Sequence, residues 1–512
     1  MTLLPEGWLT AGVAGILLYF IASSAWSWYR LRQFPGPFFA AFSYLWLASI
    51  DVSGAAWKTQ MRVRAKYKSP LIRIGPNLLI TDDPDILRRM SSARSKYGRG
   101  GWYEAFRIDA TNPSMFGTTD TEWHDDIKAK ASFGYSGREI PTLERDVDGQ
   151  IASLKKAICS KYISDEKTTR PMDFAATAQY FALDTISTIG LGKAFGYLEA
   201  DSDVTGYIQA MNVFSPMSSL LADVPFMRNL FLNDFLFSKI GPKPTDPHGP
   251  GRIMGMAKET VAARFENGGC LKDHPDMLGS FLRHGITRHQ AEAEVTLQII
   301  AGTDMTSNVI RSTMLYISTS PRIYTRLQSE IDTAVSSGDA STPVTFAQTK
   351  SLPYLQSVIY ESLRLHPPTF ALASKRVPPE GDTLHGKFIP GGTEIAQNSW
   401  SLLRNTDIFG EDVESFRPER FLLAEDAKRV EMERTVGMLF GYGRWICPGK
   451  MIAFMEISKV VFELLREFDW QIVDPAVPWD RRQYSVFMFR DMWMRVAERG
   501  VGEGKGPGDV GE

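Results

Sequence analysis

The chain opens with a long apolar stretch that carries no charge. No charged residue lies between Glu6 and Arg30, and a helix over this stretch spans roughly 30 Å, enough to cross a bilayer. Trp26 and Trp28 form an aromatic flank, and Arg30 and Arg32 follow it. The pattern predicts an N-terminal transmembrane helix with the rest of the chain on the cytoplasmic side.

A cleaved signal peptide is the alternative for this stretch, because Ser23-Ser24-Ala25 offers the small residues of a cleavage site. A basic region before the apolar run is missing, which favours the anchor. We therefore expect a membrane anchor and flank over residues 1–33, one large domain over 34–500 and a disordered tail over 501–512. Phe34-Pro35-Gly36-Pro37 stiffens the link between anchor and domain.

Beyond the anchor, helical periodicity dominates and strand patterns are short, which predicts a mainly α fold with small β-sheets. The helical stretch over 286–320 is longer than most globular helices and is expected to cross the whole domain. The other predicted elements are strands at 71–74, 78–80, 388–389 and 394–397, a helix capped by Asp83-Pro84, helices over 122–236, and a helix over 448–468.

Two features are expected to interrupt this pattern. Residues 95–117 are rich in glycine, arginine and aromatics with little periodicity, and are predicted to be a loop. Helix breaks are predicted at Pro171, Pro216 and Pro225.

Composition narrows the class of protein. With 512 residues and 44% apolar residues there is ample material for a core. A formal net charge of −2 gives no nucleic-acid footprint. Three scattered cysteines, Cys159, Cys270 and Cys447, are too few for a disulfide framework or a zinc site, so the body is expected in a reducing compartment.

Cys447 has the most informative surroundings of the three cysteines. The segment 440–449 reads FGYGRWICPG and leads directly into an amphipathic helical stretch. Its glycines let backbone approach closely, and a helix N-terminus supplies N–H groups and partial positive charge. This setting favours a thiolate available to a metal.

Two further patterns accompany the cysteine. Glu361 and Arg364 lie three apart, on one face of a helix that ends at Pro367-Pro368, so their charges can pair. Downstream, residues 416–421 read FRPERF and include Arg420. Together with the cysteine segment, these patterns resemble the cytochrome P450 superfamily, and their finer match resembles its fungal pisatin-demethylase-like branch.

The resemblance implies a cytochrome P450 fold with haem b bound through its iron to Cys447. It implies that Phe440, Gly443 and Arg444 contact the haem, and that Glu361, Arg364 and Arg420 form a structural cluster that braces the cysteine loop. It also implies NADPH-cytochrome P450 reductase as partner, with cytochrome b5 as a further electron donor compatible with it. No G-x-G-x-x-G fingerprint is present, which makes a separate reductase necessary.

Residues 301–306, AGTDMT, lie in the middle of the long helix. They resemble the family motif in which an acid and a neighbouring alcohol relay protons to dioxygen. Ala301 and Gly302 would then let the flat haem pack on the helix, although a helix-crossing contact explains small residues equally well. Asp304 matches the acid, whereas Met305 occupies the alcohol position and cannot donate a hydrogen bond. Thr306 is therefore a candidate catalytic residue beside Asp304, unless its hydroxyl bonds the carbonyl of Gly302.

Residues that seat the haem are expected on both sides of the long helix in sequence. His124 and Lys128, four apart on one helix face, resemble the family pair that binds a haem propionate. Lys375 or Arg376 would supply a further contact, and both alternatives remain open.

The resemblance implies a membrane-anchored haem-thiolate monooxygenase of the endoplasmic reticulum, single-pass and with a cytoplasmic catalytic domain. We expect it to oxidise a hydrophobic small molecule in fungal secondary metabolism, by hydroxylation, epoxidation, demethylation or oxidative cyclisation. The alternatives are a haem-thiolate enzyme that catalyses coupling or rearrangement without oxygen insertion, and a haem-binding protein without turnover.

Overall fold

A computed structural model describes residues 6–266, 274–369 and 371–500. The expected tail over 501–512 lies outside the described residues, and so does Cys270. In the described part, helices α1 to α11 are Glu6–Leu31, Leu45–Val52, Ala56–Tyr67, Pro84–Ser91, Thr121–Tyr135, Leu143–Lys161, Phe174–Leu191, Tyr197–Ala200, Tyr207–Asp223, Pro225–Phe231 and Asp234–Ile240. Helices α12 to α22 are Gly249–Glu266, Met277–Arg283, Arg288–Ser318, Pro321–Ser336, Phe346–Lys350, Pro353–Leu365, Ser399–Leu402, Thr406–Phe409, Glu419–Leu423, Asp426–Gly437 and Lys450–Glu467.

Short strands form small sheets at the edges of this helical body. Strands β1 to β12 are Ile72–Gly75, Leu78–Thr81, Gly98–Arg99, Met172–Asp173, Lys375–Arg376, Asp382–Leu384, Lys387–Ile389, Glu394–Gln397, Phe468–Ile472, Asp480–Gln483, Phe487–Arg490 and Trp493–Glu498. One sheet has the order β1-β2-β8-β5-β3 and another the order β4-β12-β9, while β6-β7 and β10-β11 are two-stranded. The mainly α fold with small β-sheets is therefore confirmed.

Helix α14 is the centre of the fold. It runs for 31 residues, begins at a capping box of Thr287 and Gln290, and packs against α7, α12, α13, α17 and α22. Because α14 has neighbours on several sides, its buried positions lie all round the helix. They include polar residues such as Glu294, Ser307 and Thr313. The prediction of one long helix crossing the domain is confirmed.

The first two strands and the cap of α4 form where the sequence pattern predicts them. Ile72–Gly75 and Leu78–Thr81 pair antiparallel, and the side chain of Asp83 caps α4 by accepting from the backbone N–H of Asp85 at 2.8 Å. β2 pairs parallel with β8. β8 in turn pairs antiparallel with β5, and Ile395 of β8 lies opposite Lys375 of β5. β5 also pairs antiparallel with β3 and places Lys375 opposite Arg99, although the two residues are 276 positions apart in the sequence (375 − 99).

Some expectations need correction. Pro216 does not break the chain but lies inside α9, because the missing N–H costs one hydrogen bond while buried Met211, Ser215 and Ser218 hold the helix against its neighbours. The expected loop over 95–117 contains β3 and a 3₁₀ helix over Gly101–Phe106. The helix after Cys447 begins at Lys450, two residues later than Pro448.

The N-terminal helix α1 exposes large apolar side chains, among them Tyr19, Phe20, Ile21 and Trp26. Its last turns contact the sheet, where Arg30 donates a 2.9 Å hydrogen bond to the carbonyl of Gly391. Among the helices of the described residues, none has the combination of length and apolarity that a bilayer crossing requires. The expected transmembrane helix is therefore not confirmed.

Candidate functional site

The loop that carries Cys447 is closed by its own backbone. The Cys447 N–H donates to the carbonyl of Phe440 at 2.6 Å, so the chain folds back on itself between a 3₁₀ helix at 438–440 and α22. Gly441 and Gly443 have φ of 76° and 57°, in the left-handed region. A Cβ at Gly443 would lie 2.2 Å from the carbonyl oxygen of Ser91, so the loop requires glycine there for both conformation and space.

The thiol of Cys447 opens into an interior cavity. Burial raises its pKa above the ordinary value, while backbone N–H groups of Gly449 and Lys450 and the charge of Lys128 act in the opposite direction. Sulfur in such a place becomes an anion when a metal ion supplies compensating positive charge. A cysteine at a cavity wall with N–H groups directed at it is the donor chemistry that a haem iron requires.

The cavity has a volume of about 780 Å³, within the range of cofactor and ligand sites. Its lining includes Ala301, Gly302, Asp304, Met305 and Thr306 from the middle of α14 together with the Cys447 loop. The structure thus brings the two sequence motifs to one space.

Basic side chains cluster where the Cys447 loop meets β3 and β5. Lys375 is only 5% exposed, its Nζ has no hydrogen-bond partner in the described part of the chain, and it lies 4.0 Å from the centre of the Trp445 ring. Burial first, and then the charges of Arg99, Lys128 and Arg444, lower the pKa of Lys375 well below its usual value. An unpaired buried cation is costly, so this cluster fits an anionic group in the cavity.

Arg99 is the second cation of this cluster. It is buried, donates to the carbonyl oxygens of Met115, Phe116 and Thr118, and its guanidinium carbon lies 4.7 Å from the Trp445 ring centre. A haem carries two propionates, and two buried cations beside the thiol loop match that charge. The residues present therefore fit a haem.

The expected pair of His124 and Lys128 does not converge on one point. His124 is buried, Nδ1 lies 2.9 Å from Asp125 Oδ1, and burial together with Arg99 lowers its pKa to about 4, so it is neutral at pH 7. Lys128 Nζ instead donates to the carbonyl oxygens of Arg444 and Ile446, each at 2.6 Å. His124 and Lys128 share one face of α5 as predicted, but the ammonium of Lys128 is hydrogen-bonded to the backbone of the loop.

Arg444 ties the other side of the same loop. Its Nη2 donates to the carbonyl of Ala93 at 2.6 Å, while Nε makes no hydrogen bond in the described part of the chain and lies 3.8 Å from Asp125 Oδ2. Between the two alternatives left open by the sequence, Lys375 faces the cavity, whereas Arg376 is half-exposed and lies 3.6 Å from Glu394.

The α14 motif has an unexpected set of partners. Asp304 is buried, and its two carboxylate oxygens accept from Gln179 Nε2 at 2.8 Å and from the hydroxyl of Tyr207 at 3.2 Å. Burial raises the pKa of Asp304 to about 6, against the lowering effects of Arg311, Tyr207 and Gln179. This carboxyl changes charge near neutral pH.

The neighbouring positions have distinct tasks. Thr303 donates to the carbonyl of Ile299 at 2.6 Å within the helix and is fully buried. Thr306 lines the cavity, and within the described residues its hydroxyl makes no bond to the carbonyl of Gly302. Gly302 lines the cavity and also makes a close helix contact, since a Cβ there would lie 2.7 Å from Ile186 Cγ1 on α7.

The three residues of the expected structural cluster meet in the interior. Arg364 donates to both carboxylate oxygens of Glu361, at 2.7 and 2.8 Å, and Arg420 Nε lies 3.0 Å from the same carboxylate. Arg364 also donates to the carbonyls of Leu403 and Val413. The cluster thus links α17 and α20 to the segment between them, and Glu361 and Arg364 are completely buried.

Comparison with known proteins gives a consistent result. A family model described as cytochrome P450 matches residues 155–490. "Cytochrome P450 monooxygenase ABA1" of Pyricularia oryzae is 43% identical over 503 residues, which cover 97% of this chain and 98% of that protein. A protein of the same description from Botryotinia fuckeliana is 42% identical over 91% of this chain and 92% of its own length. "Pisatin demethylase" of Fusarium vanettenii is 31% identical over 91% and 88%.

The sequence identity extends over nearly the full length of these relatives. The thiol loop, the α14 motif and the Glu-Arg-Arg cluster agree with the same family. Members of this family carry a haem whose iron is bound by a cysteine. The chain therefore belongs to the cytochrome P450 family and is a cytochrome P450 monooxygenase.

Proposed function

We propose that this chain oxidises a hydrophobic small molecule in fungal secondary metabolism, and that the sulfur of Cys447 would hold the iron of haem b. The observation that carries the proposal is the shared cavity, which has the Cys447 thiol and the α14 motif in its wall. Haem, when bound, supplies the iron that activates dioxygen. Phe440, Ala301 and Gly302 border the space that it would fill, whereas Gly443 and Arg444 belong to the Cys447 loop but lie outside the lining of the cavity.

In this proposal Lys375 and Arg99 bind the haem carboxylates. Both are buried beside Trp445, and Lys375 has a free ammonium in the part of the chain that the structure describes. Each would make charge-assisted hydrogen bonds in a site from which water is excluded. His124 contributes packing against Trp445, with ring centres 4.6 Å apart, rather than a charge.

Asp304 and Thr306 are proposed to move protons in the cavity. The Asp304 carboxyl takes up and releases a proton near neutral pH, and Gln179 and Tyr207 hold its orientation. Met305 lines the cavity at the position of the family alcohol and cannot donate. The Thr306 hydroxyl, or a hydroxyl of substrate or water, then donates the proton that Asp304 replaces.

The substrate is proposed to be largely apolar. Trp102, Phe106, Phe214, Leu297 and Ile300 line the cavity, and most of the lining surface is apolar, although Asp109, Lys258 and Glu292 also border it. Such a lining favours substrates that lose apolar surface to water when they bind.

The enzyme is further proposed to reside on the endoplasmic reticulum membrane, attached through residues 1–33 in a single pass, with 34–500 as one cytoplasmic haem domain. Exposed Phe20, Ile21 and Trp26 on α1, and exposed Phe38 and Phe39 after it, support contact with lipid. Electrons come from an NADPH-cytochrome P450 reductase, with cytochrome b5 as an additional donor. A variant without residues 1–33 that stays bound to membranes after alkaline extraction would contradict this attachment.

The decisive experiment is product formation in microsomes that contain this chain and a fungal reductase. Metabolite extract from cells that lack the gene is supplied with NADPH and ¹⁸O-labelled dioxygen. One labelled oxygen atom in a new product is the expected result. A product without label would favour coupling or rearrangement, and a thiolate-type carbon monoxide band with no product from any extract would favour a haem-binding protein without turnover.

A further inference from the structure

Lys128 makes an unexpected pair of contacts. Its ammonium nitrogen donates to two backbone carbonyls of the thiol loop, those of Arg444 and Ile446, each at 2.6 Å. In the part of the chain that the structure describes, no carboxylate forms an ion pair with it. The carboxylate of Asp125 interacts with this charge without a direct ion pair, and the sulfur of Cys447 is near enough to interact with it as well.

Both peptide units that Lys128 holds are also held at their other end. The carbonyl of Ile446 belongs to the peptide whose N–H is that of Cys447, and this N–H donates to the carbonyl of Phe440 at 2.6 Å. The carbonyl of Arg444 belongs to the peptide whose N–H is that of Trp445, which donates to Tyr442 at 3.1 Å. Two peptide planes are fixed at both ends, which leaves the loop little freedom to rotate.

The helix that presents Lys128 is itself well anchored. Asp120 caps α5 by accepting from the N–H groups of Glu122 and Trp123 at 3.0 and 3.1 Å. One turn before Lys128, His124 packs on Trp445, and Ile127 is completely buried. A side chain on such a helix transmits a fixed position to the loop.

The residue type suits this task. A guanidinium is a planar fork that matches the two oxygens of one carboxylate. An ammonium has three rotatable donors around one nitrogen and can reach carbonyl oxygens of two separate peptides. A lysine at this place can therefore hold both carbonyls of the loop at the same time.

We infer that Lys128 is a positioning residue: it fixes the two peptide units before Cys447 and places a positive charge beside the sulfur. The inference rests on the proposed function only in taking Cys447 as the iron ligand. It adds to the expectation that Lys128 binds a haem propionate, since the side chain of Lys128 also lines the cavity. The charge acts on the thiolate through space and the hydrogen bonds act on its geometry, so the two effects can be separated.

The test compares K128M with K130M in the purified, haem-loaded full chain. Lys130 lies on the same helix and forms a surface ion pair with Asp126 at 2.6 Å, which makes it a matched control. In K128M the reduced carbon monoxide complex should change from thiolate to thiol ligation about tenfold faster, the usual effect of losing an outer-shell partner of a metal ligand. K130M should behave as wild type, and K128R should restore part of the stability.

The reduction potential of the haem-loaded protein is a second measurement, and a loss of structure alone would not change it. K128M should have a lower potential than K130M, because a positive charge close to the iron site favours the reduced state. K128Q keeps one hydrogen-bond donor without the charge, so it should slow the ligation change relative to K128M but keep the lowered potential. Equal ligation rates and equal potentials in K128M and K130M would overturn the inference.

Two other outcomes are also informative. Absence of any thiolate band in wild type would refute the proposed function itself, independently of Lys128. If K128M binds no haem, amide hydrogen exchange of residues 443–449 is compared in the haem-free proteins. Faster exchange in K128M than in K130M supports the inference, and equal exchange overturns it.

Discussion

The hydroxyl of Tyr207 on α9 donates a hydrogen bond of 3.2 Å to Oδ2 of Asp304 on α14. Both side chains are buried, so the bond directly couples a helix that borders the cavity to the acid in its wall. The bond lowers the pKa of Asp304, and burial raises that pKa to about 6.

Replacing Tyr207 with phenylalanine should therefore raise the pKa of Asp304. Asp304 replaces the proton that a cavity hydroxyl donates, so its protonated form supplies the proton. Product formed per NADPH oxidised should therefore fall as pH rises through the pKa of this carboxyl, and Y207F should shift that fall to higher pH. The measurement is this ratio at several values between about pH 5 and pH 8. Y180F, on α7 and away from Asp304, serves as control, and a profile unchanged by Y207F together with an unaffected D304N would refute the role of Asp304.

Lys375 should have opposite effects on the protein with and without haem. In the haem-free protein its ammonium is buried without a partner, so K375M should raise the free energy of unfolding by about 1–3 kcal/mol. In the loaded protein the same change removes a partner of a carboxylate and should speed haem loss. R376M, which alters the half-exposed neighbour, should change neither property, and a slower or equal rate of haem loss in K375M would contradict the assignment.

The Glu361, Arg364 and Arg420 cluster should be essential for a folded haem domain. R364A leaves a completely buried carboxylate with one cation fewer, and the expected loss of stability is about 3–5 kcal/mol. We expect haem-free or misfolded protein, measured by haem absorbance per protein and by chemical unfolding. R88A, which breaks a surface pair with the exposed Asp85, is the milder comparison, and a fully loaded R364A protein would contradict this prediction.

A pair of buried carboxyl groups, Asp51 and Asp223, predicts that the stability of the protein depends on pH. Asp51 on α2 and Asp223 on α9 border a small cavity of about 20 Å³, and burial and their mutual repulsion raise the pKa of Asp51 well above its ordinary value. Burial likewise raises the pKa of Asp223. The folded state then holds protons that the unfolded chain has lost above about pH 4, so this pair makes stability fall as pH rises from there.

The D223N variant should flatten that fall, because it removes one of the two raised acids. The free energy of unfolding is measured by urea titration at several pH values, beside the surface variant D426N. D426N should retain the slope of wild type, since Asp426 is exposed and paired only with Arg429. A D223N slope equal to that of D426N would show that the two carboxyls do not share a proton.

Much of the fold was predictable because its signals are local. The length of α14, the cap at Asp83 and the strands around residues 75–78 follow from periodicity and turn residues alone. The thiol loop was also predictable, since its glycines are needed at Gly441 and Gly443 for positive φ. Glu361 and Arg364 could be paired because three residues on a helix define a distance.

The missing parts of the site depend on contacts between distant segments. Arg99 and Lys375 meet only because β3 and β5 pair, and a pattern within either strand of two residues carries no such information. Tyr207 and Gln179 reach Asp304 from two other helices. Gly302 was open to two interpretations, and its nearness to Ile186 and its place in the cavity wall are compatible with both. The sequence around Pro216 predicts a helix break, and it carries no information on the buried residues of α9 that keep the helix intact.

The most direct test is the absorbance of the reduced, carbon-monoxide-bound protein, recorded for purified wild type and for C447S. We predict a thiolate-type Soret band in wild type and its complete loss in C447S, with the helical circular dichroism of the two proteins alike. A wild-type protein that binds no haem, or a serine variant that keeps the band, would contradict the claim that the sulfur of Cys447 binds iron.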